Sequence, residues 1–116
     1  MRICSKFEKI NIGPEMPKIY EYLGIVIYFY SNEHEPIHVH GQYNGMEVKA
    51  EFIVENGEIV EIILQTVQNR KPLTGDQLKD FTDFVEKYAN EIVGKWVDYF
   101  VYHKKIKPEK ITKKIS

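Results

Sequence analysis

The dipeptide Asn44–Gly45 separates two runs of alternating character, IHVHGQY at 37–43 and MEVKAEFIV at 46–54. A two-residue reversal between strands needs positive φ at both turn positions, and Asn followed by Gly meets that demand at the least steric cost. So short a loop also sets the register. Tyr43 is predicted to face Met46, His40 to face Lys49, Val39 to face Ala50 and His38 to face Glu51. Side chains alternate along a strand, which puts Ile37, Val39, Tyr43, Met46, Val48, Ala50 and Phe52 on one dry face. The opposite face collects His38, His40, Gln42, Glu47, Lys49 and Glu51.

Similar patterning extends on both sides. KIYEYLGIVIYFYS at 18–31 is rich in β-branched and aromatic residues and predicts two strands around a tight turn at Leu23–Gly24. Pro36 biases Glu35 toward an extended conformation. After the central hairpin, Glu55-Asn56-Gly57 predicts a second one. A three-residue loop with Gly57 in the left-handed position sets Val60, Ile62 and Leu64 opposite Phe52, Ala50 and Val48. Ile53, Ile59 and Ile63 then fall on the histidine side, which a helix or a partner subunit must partly cover. Thr74-Gly75-Asp76-Gln77 reads as a capping box, with Thr74 accepting from the Gln77 amide. Leu78, Phe81, Val85, Tyr88, Ile92 and Trp96 step by three or four, the stripe of one amphipathic helix from Gly75 to about Tyr102, with a kink expected at Gly94. Lys110–Ile115 predicts a short edge strand. The fold class is therefore α+β: an antiparallel β-meander of four to five strands with one long C-terminal helix packed on it.

At 116 residues and 43% hydrophobic content the chain suits one globular core. Residues 16–102 are read as that domain. Residues 1–15 form an N-terminal extension, either a flexible leader or an added strand, and 103–116 a basic C-terminal tail. The tail holds Lys104, Lys105, Lys107, Lys110, Lys113 and Lys114 against Glu109, so it carries +5 of a chain total of −1 and leaves −6 on the body. Such a tail docks on its own body, stays solvated, or offers a route to nucleic acid. No apolar run nears the roughly twenty residues of a membrane span, no secretory leader opens the chain, and Cys4 alone allows no internal disulfide. The expected location is the cytoplasm.

Three of the four histidines lie within residues 34–40. The segment YFYSNEHEPIHVH, 28–40, resembles the signature of a small bacterial family catalogued as domain of unknown function 4160, with His34, Pro36, His38 and His40 falling together after an aromatic strand. The likeness runs from Met16–Pro17 through the helix containing Trp96. It departs at Ile37, where a second proline is common. The resemblance implies no established activity. It does imply a gene arrangement seen for some members, beside another small protein, which resembles toxin–antitoxin pairs.

Three chemistries suit the cluster. His38 and His40 leave the same face of one strand about 6.6–7 Å apart, so both rings can address one ion. His34 supplies a third nitrogen, and Glu51 either ligates or orients His38. Glu33 is a further candidate, and zinc or another divalent first-row metal fits such donors. Without metal, His38 and His40 form an acid–base pair, with Lys49 steadying charge on a cleaved phosphodiester. In the third reading the histidines fix the strand entry after Pro36, paired to Glu51 or to backbone. Together these describe a small interaction module, part of a toxin–antitoxin-like pair, with a histidine-lined site on the sheet and a protein partner or homo-oligomeric state. The alternative is a hydrolase or ribonuclease-like enzyme using the same cluster.

Overall fold

The computed structural model describes residues 16–30 and 36–115. The readings of residues 1–15, including Cys4, and of Glu33 and His34 lie outside them. Five strands follow in order: β1 (Lys18–Tyr22), β2 (Ile25–Tyr28), β3 (His38–Tyr43), β4 (Met46–Glu55) and β5 (Glu58–Thr66). Helices α1 (Gly75–Lys87) and α2 (Ala89–Phe100) come next, and then β6 (Glu109–Ile111). The sheet order is β5-β4-β3-β2-β1-β6. Neighbours β1 to β5 are antiparallel, and β6 runs parallel to β1. The fold is α+β, as expected, but the sheet is mixed and six-stranded and the helical segment is two helices.

The Asn44–Gly45 reversal occurs as predicted, with φ of 49° and 79°. The register of β3 on β4 pairs Tyr43 with Met46, His40 with Lys49 and His38 with Glu51. The second hairpin corrects the expectation. Its loop is the two-residue Asn56–Gly57, closed by Glu55 opposite Glu58. A bulge then absorbs one residue between Ile59 and Glu61, and Ile62 rather than Val60 lies opposite Phe52. The extra residue does what the longer loop was invoked to do: it puts Ile62 and Leu64 on the dry face. It also moves Ile59, opposite Val54, to that same face. Ile53 and Ile63 stay on the histidine side.

Both helices cover the dry face. Phe81 of α1 lies directly over Gly41 of β3, where a Cβ would overlap its ring. Phe84 meets Tyr20 and Tyr22 of β1 at 4.9 and 5.0 Å between ring centroids. Phe29 packs against Tyr99 and Phe100 of α2. The expected single helix breaks at Tyr88 (φ −101°, ψ 16°), six residues before Gly94. The helix ladder is nearly intact across the break: Tyr88 N–H donates to Phe84 O and Ile92 N–H to Tyr88 O. The Tyr88 ring stacks on Phe84 at 4.5 Å and meets Tyr20 edge-on at 5.5 Å. A straight rod of that length would leave a twisted sheet at one end; bending at this aromatic cluster keeps Phe81, Val85, Ile92 and Trp96 all in the core. The capping box is not made. Thr74 occupies the N-cap without a side-chain bond, because Gly75 takes φ +58° and turns the chain away from that geometry.

The tail lies on the body. Beside β6, Lys95 Nζ reaches Glu109 at 3.0 Å and Lys110 Nζ reaches Glu21 at 3.7 Å. Ile115 N–H donates to the Tyr22 hydroxyl at 2.9 Å, and Ile111 and Ile115 pack on the core.

Candidate functional site

The sheet face turned away from the helices carries His38 and His40 of β3, Glu47, Lys49 and Glu51 of β4, and Tyr28 of β2, which stands opposite His40. His40 is 2% exposed, His38 5% and Glu47 1%. In a twisted antiparallel pair one diagonal neighbour comes closer than the other. For His40, directly opposite Lys49, that neighbour is Glu47. His40 Nδ1 lies 2.9 Å from Glu47 Oε2, and since an ionised carboxylate only accepts, Nδ1 carries the proton.

Burying a carboxylate costs several kcal/mol unless donors surround it. Glu47 has four. Besides His40, the Tyr30 hydroxyl donates to Oε2 at 3.4 Å and Gln42 Nε2 to Oε1 at 3.4 Å. Arg70 Nε stands 3.5 Å from Oε1. Arg70 arrives through the loop after β5, which the Glu47 amide holds by donating to Lys71 O at 2.8 Å.

His38 is fixed differently. Its Nδ1 lies 2.7 Å from the Pro36 carbonyl, and a carbonyl cannot donate, so here too Nδ1 bears a proton. The two imidazoles sit 5.1 Å apart, edge to face. Tyr28 stacks on His40 at 5.4 Å and Tyr30 meets it edge-on at 4.4 Å. The Tyr28 hydroxyl is buried without hydrogen-bond geometry to any described residue. Burial, and after it the nearby Glu47 and Tyr30 oxygens, holds its pKa well above the ordinary tyrosine range.

The structure thus brings His38 and His40 together, as the hairpin predicts, with Lys49 and Glu51 at their register positions. Glu51 accepts from Gln65 Nε2 at 3.1 Å, and the Pro36 carbonyl, not Glu51, is the observed orienter of His38. Sequence reasoning missed Glu47 as the centre of the network, and with it Tyr28, Tyr30, Gln42 and Arg70. One signal was available: the predicted register already set Glu47 diagonal to His40. The approach of Arg70 has no signature in the sequence. Among the described residues, no group of three or more His, Cys, Asp or Glu is arranged to hold a metal ion. The arrangement can fix a histidine tautomer, hold a proton between imidazole and carboxylate, or brace the β3–β4 hairpin from within.

A family model described as a domain of unknown function (DUF4160) matches residues 24–97. The chain belongs to that family. No curated protein and no solved structure matches it. The DUF4160 segment contains all of β2 to β5, so Tyr28, Tyr30, His38, His40, Glu47 and Arg70 fall inside it, while β1 and β6 lie outside.

Proposed function

We propose that the protein is a small cytoplasmic interaction module, one member of a toxin–antitoxin-like pair, that takes an extended partner segment along the outer edge of β5. The observation that carries this reading is the edge itself. β5 is nine residues long, and among the described residues no strand pairs with its outer side. Val60 is 55% exposed and Leu64 38%, and Glu58 and Glu61 are the strand's only charges. An open, apolar edge is a template for strand addition. The histidines, by contrast, are internal, and their hydrogen bonds stiffen the hairpin to which β5 is attached. The gene arrangement implied by the family resemblance supplies the natural partner. Co-expression with the adjacent gene's product tests this: the two should purify together, and Leu64→Lys should weaken the complex. A complex indifferent to charge on β5 overturns the reading.

One observation favours the rival enzyme. Both imidazoles are anchored through Nδ1, which is how acid–base and metal-ligating histidines are commonly oriented. That reading assigns His38, His40 and Lys49 to catalysis, or His34, His38, His40 and Glu51 to a divalent metal such as zinc. It requires either near-stoichiometric metal in untagged protein or RNA cleavage in chelator, with a bell-shaped pH profile lost in His38→Ala. Burial of both rings places it second.

A further inference from the structure

We propose that the β5 edge of the isolated protein is occupied by β5 of a second copy, antiparallel, about a two-fold axis through Ile63 that continues the sheet from one copy into the other. The inference rests on reading that edge as a binding surface, and it names the occupant. Directly opposite residues in an antiparallel pair share a face, so a symmetric register must centre on a residue. The stretch Glu61-Ile62-Ile63-Leu64-Gln65 is nearly palindromic in character about Ile63.

Centred there, Ile62 meets Leu64 of the second copy twice on the helix-covered face, Ile63 meets itself on the histidine face, and Glu61 meets Gln65 of the second copy at both ends. Every apolar residue finds an apolar one, and no glutamate faces another. Neighbouring registers fail this test. Centring on Ile62 sets Glu61 against Ile63, centring on Glu61 sets two glutamates face to face, and centring on Leu64 sets Ile63 against Gln65. The Ile63 register also uses only the regular ladder beyond the bulge between Ile59 and Glu61. A bulge twists an edge away from further pairing, and here it bounds the contact instead of crossing it.

Sedimentation of the full chain over a wide concentration range tests the proposal. The expected mass rises from the 13.7 kDa monomer to twice that value. Gln65→Lys puts a cation opposite Glu61 of the second copy at two places, and the dimer should tighten roughly two- to thirty-fold. Gln65→Glu should loosen it by a similar factor, and Ile63→Lys, which sets two cations face to face, should leave monomer. Gln65 is exposed, so its variants keep the test valid if Ile63→Lys fails to fold. A wild-type chain that stays monomeric overturns the proposal, as does a dimer unmoved by either Gln65 substitution. If the chain is monomeric while Gln65→Glu still alters binding of the adjacent gene's product, the second copy is excluded and the edge reading stands. If neither association responds to changes on β5, both fall.

Discussion

Glu47 shows how one residue organises a face. Its carboxylate is buried among His40, Tyr30, Gln42 and Arg70, and removing it takes away the oxygen that His40 Nδ1 and its neighbours address. Glu47→Ala should therefore cost about 3–5 kcal/mol, the usual penalty for breaking a buried pair from one side, read as a lower midpoint in urea. Glu47→Gln, which keeps an acceptor, should cost less. Tyr20 and Tyr28 should make the fold less stable at high pH. Burial is the first cause that raises both above the tyrosine reference of 10.0, followed by nearby Glu91 and Glu109 for Tyr20 and by Glu47 and Tyr30 for Tyr28. A group whose pKa is raised by folding binds its proton more tightly in the folded state. The stability tied to that proton is complete below pH 10 and drains as pH rises, by about 1.4 kcal/mol per pH unit for each such tyrosine. Tyr28→Phe should remove one tyrosine's share of that slope in denaturant titrations above pH 10. The Tyr28 hydroxyl stands beside the Glu47 and Tyr30 oxygens without full hydrogen-bond geometry to either, so the substitution should change stability at neutral pH by no more than about 1 kcal/mol.

At the level of elements, the chain is most legible where turn chemistry and alternation agree. Leu23–Gly24 and Asn44–Gly45 close two-residue turns with positive φ, and the β3–β4 register follows from the second of them. Asn56–Gly57 closes the same kind of turn. There the alternation argued for a longer loop, since a bulge leaves no mark in sequence other than a slip in phase. The two remedies give the same parity and differ by two residues in register. The helix break was hidden for a related reason: Val85, Ala89, Ile92 and Trp96 keep their phase across Tyr88, so the stripe reads as unbroken. Glycines separate the two kinds of position. Gly41→Ala would drive a Cβ into the Phe81 ring and should cost about 1–3 kcal/mol as strand and helix part. Gly94 lies inside α2 with open space where a Cβ would stand, so Gly94→Ala should gain up to about 1 kcal/mol. Thermal midpoints moving in opposite directions would confirm both placements, and a shared direction would contradict one of them.

For the molecule as a whole, the basic tail decides how far charge shapes the fold. Its lysines face an acidic body, and ion pairs join Lys110 to Glu21, Lys95 to Glu109 and Lys104 to Asp98. Exposed pairs of this kind contribute roughly 0–1 kcal/mol each and weaken in salt. The tail also packs Ile111 and Ile115 against the core, and each partly buried isoleucine is worth about 1–2 kcal/mol. Apolar burial therefore outweighs charge in holding the tail down. Two measurements separate these contributions. Removing residues 108–116 deletes β6, reopens the outer edge of β1 and leaves the Tyr22 hydroxyl without its bond from Ile115, so it should lower stability by several kcal/mol. Raising salt to molar concentration in the intact chain should lower it far less. If salt alone reproduces the truncation, electrostatics hold the tail, and its lysines become available to phosphate whenever a polyanion competes for them. If it does not, the lysines that remain outside those pairs are a solvated rim on a docked strand.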